Sequence, residues 1–188
     1  EALHIIAQKA DGAMRDALSI FDQIVSFSGK TIKYQHVIDN LSILDYEYYF
    51  RITNDFLAGN TSNAFLLLNE ILNEGFDAQN FISGLGSHFR DLLVSKDPET
   101  VKLLEVSENF KEKYLKQSEQ CSDDFLYSAL NICSETDLKY KMSRNQRLLV
   151  ELAILKLSRI LEEKKKPSPE QLNDLSESDI SGKHKESD

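Results

Sequence analysis

Up to Leu161 almost every segment repeats its apolar residues at three- and four-residue steps, and no stretch alternates apolar and polar residues as a half-buried strand does. Gly stands at only seven positions and Pro at three, so little interrupts that helical period. The expected fold is all-α. With 41% hydrophobic residues in 188, the chain can bury a real core. No run approaches the roughly 18 consecutive apolar residues that a membrane helix needs, so no membrane partner is expected.

The breaks in the period set the expected elements. Residues 1–10 read as the end of one helix, closed by Asp11-Gly12, and residues 14–26 as the next. The Ser28-Gly29-Lys30-Thr31 turn marks a boundary, followed by a short helix from Tyr34 to Leu41. Asp45, Asp77 and Ser122 stand where helix caps belong, and Gly59 and Gly75 where helices end. Ala78, Phe81, Ile82, Leu85, Phe89, Leu92 and Leu93 form one stripe, with Gly84 and Gly86 inside it implying close helix packing or a kink. Pro98 is expected to open a short helix toward Leu104, and the charged stretch 108–116 to be an exposed helix. In the last helix, about residues 144–161, apolar residues occupy most of the circumference, with Glu151, Ser158 and Glu162 as a polar edge. Such a helix must be covered on nearly all sides, by its own domain or by another subunit. Beyond Leu161 too little apolar surface remains to offset chain ordering, and residues 162–188 read as a disordered charged linker.

Arg15 sits in the first turn of its helix, where the positive end of the helix dipole, roughly +0.5 of an elementary charge, disfavours a cation unless an anion is near. A phosphate would satisfy both the guanidinium and the free N–H groups of that turn. The alternative is a surface pair with Asp16 or Asp22, and on spacing alone such pairs are the commoner case.

Gly12-Ala13-Met14-Arg15-Asp16-Ala17-Leu18, followed by Asp22-Gln23, resembles the second sensor motif in the lid of the clamp-loader branch of AAA+ ATPases. Met142 to Leu157, with Arg147-Leu148-Leu149-Val150-Glu151 at its centre, resembles the last helix of the third domain in bacterial DNA polymerase III gamma/tau subunits. Gln146 stands near that family's usual proline, a departure that touches only the helix start. Phe81-Ile82, Leu85 and Phe89-Arg90-Asp91-Leu92-Leu93 resemble that domain's central helix.

The resemblance implies a lid end over residues 1–29, a helical collar domain over 30–161, and the linker beyond. It implies Arg15 as a sensor of the ATP γ-phosphate, with ATP and Mg held by an ATPase core outside this chain. It implies a subunit interface on the last helix, at Leu148, Leu149, Leu152, Leu155 and Ile160. The implied partners are delta, delta-prime and further gamma/tau copies, with the sliding clamp and primed DNA reached through the full complex. A sister subunit without ATPase activity, or a helical interaction module outside replication, are the alternatives.

No Gly-x-x-x-x-Gly-Lys-[Ser/Thr] loop is present, so the chain alone is not expected to bind ATP well or hydrolyse it. A formal net charge of −9 argues against a strong sequence-independent grip on nucleic acid, although Lys139, Lys141, Arg144 and Arg147 cluster locally. His4, His36, His88 and His184 are scattered and point to no catalytic or metal site. Cys121 and Cys133 read as buried or idle thiols of a reducing compartment, the cytoplasm.

Overall fold

The computed structural model describes residues 2–28, 31–41 and 43–163. Gly29 and Lys30 of the expected boundary turn, and all but the first two residues of the expected linker, lie outside them. Among the described residues there is no strand. The helices are α1 (Ala2–Lys9), α2 (Met14–Ser28), α3 (Tyr34–Leu41), α4 (Tyr46–Ala58), α5 (Thr61–Asn73), α6 (Ala78–Val94), α7 (Glu108–Ser118), α8 (Asp123–Tyr140) and α9 (Gln146–Glu163).

Local chemistry sets the ends. Asp45, Asp77 and Ser122 accept the backbone N–H of Glu47, Asn80 and Phe125, each supplying a partner to an orphan donor of its helix. At the other end of α4, Gly59 turns left-handed at φ 71°, so that its N–H reaches Phe56 O and that of Asn60 reaches Asp55 O. This paired arrangement satisfies carbonyls the helix would otherwise leave open.

Two cores result. The larger draws on α4 to α9 and is centred on α6, whose Phe81, Ile82, Leu85, Phe89 and Leu92 are buried against α8 and α9. Close packing accounts for one of the glycines inside α6: a Cβ at Gly84 would overlap the phenol of Tyr49 on α4, which would have to move to admit it. The smaller core joins Ile5 and Ile6 of α1, Ile24 of α2, and Val37 and Ile38 of α3.

Three expectations are corrected. Pro98 opens a turn rather than a helix: Asp97 accepts the N–H of Glu99, and the Thr100 hydroxyl donates to Val94 O at 2.7 Å, leaving only a 3-10 turn over Val101–Leu103. The charged helix α7 is not simply exposed, because Phe110, Tyr114, Gln117 and Ser118 recur on one face and are buried. Ser158 is no polar edge of α9; it is fully buried and donates to Ile154 O at 3.0 Å.

Candidate functional site

The first candidate surface starts from the turn between α1 and α2. Asp11 and Gly12 adopt φ 47° and 78°, reversing the chain so that α2 begins at Met14. Arg15 follows in the first turn with its side chain exposed. Among the described residues no ion pair holds its guanidinium, and the expected surface partners Asp16 and Asp22 do not reach it. Beside it Met14 is 74% and Leu18 57% exposed, while Ile24 alone of α2 is fully buried. The apolar stripe predicted for α2 therefore splits. Ile24, Phe21 and Ala17 face α1 and α3, while Met14, Leu18 and Val25 remain uncovered. The Gln23 amide donates to Asn40 Oδ1 at 2.9 Å and holds α2 on α3.

The second surface lies on α9. Val150, Ala153, Ile154 and Leu157 are sealed in the larger core. Leu148 and Leu152, one turn apart, are 48% and 46% exposed, with Leu149 and Leu155 half-buried beside them. Ile160 is a correction to the expected interface, since it is buried within its own chain. The helix start is fixed by Asn145, whose Oδ1 accepts the N–H of Leu148 at 3.0 Å. Arg147 reaches Glu151 Oε1 at 2.9 Å and Asn69 Oδ1 at 3.1 Å, tying α9 to α5. Of the basic cluster, Lys139 is paired with Glu135, so Lys141 and Arg144 are its freer members.

Pattern reading missed a buried polar network. His88 Nδ1 lies 3.1 Å from the Tyr114 hydroxyl and its Nε2 3.1 Å from Gln117 Oε1. The Gln117 amide nitrogen donates to Phe50 O and Asn54 Oδ1. Burial lowers the His88 pKa from 6.5 to about 3. The signal was the spacing of Tyr114 and Gln117 on the charged helix, which places two polar groups on its inner face. Burial likewise raises the Cys121 and Cys133 thiols, to about 11 and about 12, so both are poor nucleophiles at neutral pH. Among the described residues no group of His, Cys, Asp or Glu could hold a metal ion, and no helix is long and apolar enough to cross a membrane.

Against this geometry, residues 1–30 match the family model for the ATPase lid domain of DNA polymerase III clamp loader subunits. Residues 47–157 match the family model for the C-terminal domain of the DNA polymerase III delta subunit. The chain belongs to the DNA polymerase III clamp-loader subunits.

Relatives agree. The clamp-loader chain is 32% identical over 160 residues to the DNA polymerase III subunit tau of Bacillus subtilis, spanning 83% of this chain and 28% of tau. It is 23% identical over 160 residues to the subunit gamma of Buchnera aphidicola subsp. Acyrthosiphon pisum, spanning 83% of this chain and 43% of gamma. The chain thus spans less than half of either relative. The fold is shared with the Bacillus subtilis DNA clamp loader delta protein, at a TM-score of 0.55 and 16% identity over 82% of this chain and 49% of that one.

The residues present fit only part of a nucleotide site. Gly29-Lys30-Thr31 has the end of a phosphate loop, but Ile24 stands where the loop's first Gly would be, and it is fully buried in α2. Arg15, exposed at a helix start and without an ion pair among the described residues, suits an anion.

Proposed function

We propose that this chain is the lid end and collar portion of a gamma/tau-type clamp-loader subunit, coupling the nucleotide state of an ATPase core to subunit assembly. The observation that carries the reading is Arg15 in the first turn of α2, exposed and without an ion pair among the described residues, beside the uncovered Met14 and Leu18. An ATPase core seated on that apolar face would bring a γ-phosphate to the guanidinium. ATP with Mg would supply the charge that Arg15 reads, and the hydrolytic groups would belong to the core.

In this reading the α9 face, centred on Leu148 and Leu152, packs against delta, delta-prime or another copy. The assembled complex loads the sliding clamp on primed DNA in the cytoplasm. The −9 charge assigns DNA contact mainly to other parts of the complex.

The test is Arg15→Ala in the complete protein. Expected are weaker ATP-dependent clamp loading and an unchanged melting temperature, since the side chain is exposed. Loading that is unchanged at limiting ATP would falsify the sensor role.

A second reading is favoured by the delta-type match over residues 47–157 and by the shared fold with a delta protein. In a sister subunit without ATPase activity the bundle would serve assembly alone, and Arg15→Ala would be silent. An intact phosphate loop upstream of Glu1 separates the two, because only an ATPase gives Arg15 something to sense.

A further inference from the structure

The two cores are nearly independent. Tyr34 of α3 and Tyr46 of α4 are the residues that pack against both, and both lean on Phe110 of α7, with ring centroids 6.0 and 4.9 Å away. Between them, Asp45 Oδ1 accepts two hydrogen bonds, one from the Tyr34 hydroxyl at 3.1 Å and one from the N–H of Glu47 at 3.0 Å. A single carboxylate therefore caps α4 and holds α3. Elsewhere the units stand apart around a crevice of about 420 Å³, with Ile5 and Lys9 of α1 on one wall and Asn80, Ser83, Gly84 and Ser87 of α6 on the other. A further contact between the units joins the His4 ring of α1 to the Glu105 carbonyl.

We propose that Tyr34, Tyr46 and Phe110 form an aromatic joint, latched by Asp45, about which the α1–α3 unit moves relative to the α4–α9 bundle while the crevice takes up the motion. Both ring pairs meet tilted, at 48° and 46°, as single contacts at the edge of each core, whereas the aliphatic side chains within each interior interdigitate and are fixed in place. A joint of two tyrosines between separately packed cores lets one unit tilt without disturbing the interior of either. The Tyr34 to Asp45 bond sets the resting position, and because Asp45 also caps α4, the position of α3 is tied to the first turn of the bundle. The joint follows from packing alone and does not depend on the nucleotide reading.

Hydrogen exchange on the 188-residue chain tests it. Tyr34→Phe keeps the ring and removes the latch; its α1–α3 amides should exchange about tenfold faster while α6, α8 and α9 keep their protection. Asp45→Asn retains an acceptor and a good cap, and should match the native chain. Asp45→Ala should loosen α1–α3 and also fray the start of α4. The proposal is overturned if Tyr34→Phe leaves α1–α3 unchanged, or if protection falls equally in both units, which would make them one cooperative body. It is equally overturned if Asp45→Ala frays α4 alone, since Asp45 would then be only a cap.

Discussion

Gln117 determines which nitrogen of His88 carries the proton. Its amide nitrogen is committed to Phe50 O at 2.9 Å and Asn54 Oδ1 at 2.8 Å, so its oxygen, 3.1 Å from His88 Nε2, must accept. His88 is thereby the Nε2–H tautomer, and Nδ1 accepts from the Tyr114 hydroxyl at 3.1 Å. Both nitrogens of this fully buried ring are matched in the neutral form, and what disfavours a second proton is the burial of its charge away from water.

Acid should therefore weaken the bundle through this one residue. Burial lowers the His88 pKa to about 3, so between that value and 6.5 the unfolded chain binds a proton that the folded chain refuses. Stability attributable to His88 is complete above pH 6.5 and falls as pH drops toward 3, by about 3 kcal/mol at pH 4.5. Urea unfolding at pH 7.5 and 4.5 measures it. His88→Gln, which can still accept from Tyr114 and donate to Gln117, should show a smaller loss between the two pH values. Equal losses in both proteins would remove His88 as the source.

Gly84 and Tyr49 should be coupled energetically. A Cβ at position 84 overlaps the Tyr49 hydroxyl and crowds its ring carbon, so Gly84→Ala forces the phenol aside. Overpacking of this kind typically costs about 1–3 kcal/mol, more than the roughly 1 kcal/mol that Ala gains over Gly in a helix. Net destabilisation is expected, and Tyr49→Phe should restore part of it by removing the nearest atom. Additive effects of the two substitutions in thermal unfolding would show that α4 shifts as a whole instead.

Much of this architecture is legible from local pattern. The caps at Asp45, Asp77 and Ser122 and the terminators Gly59 and Gly75 can be read because each acts within a few residues of itself. Gly84 is readable as a close approach, but its partner Tyr49 is not, since pairing across 35 positions depends on how α4 crosses α6. The same limit hides the His88 network, spread over α4, α6 and α7. Periodicity also cannot say which half of an apolar helix its own domain covers. On α2 it joins Met14 and Leu18 to Ile24, yet only Ile24 is sealed. On α9 it joins Leu148 to Ile160, although one faces outward and the other inward. Arg15 is the converse case: its exposure follows from its helix position, while its freedom from Asp16 and Asp22 is a matter of side-chain geometry.

The two sides of α9 should respond oppositely to substitution. Leu157 is fully buried, so Leu157→Ala leaves a cavity and should cost about 2–5 kcal/mol of folding stability. Leu148 and Leu152 are about half exposed, and replacing both with Asp should change stability far less, within about 1 kcal/mol. If this face meets another clamp-loader protein, the double Asp variant should stay folded yet fail to associate, because it buries two carboxylates where the partner expects apolar surface. Light scattering on the chain alone and mixed with delta and delta-prime, paired with thermal melts, separates the two effects. A folded double variant that associates as the native chain does would place the contact elsewhere, and the exposed leucines would then be ordinary surface residues.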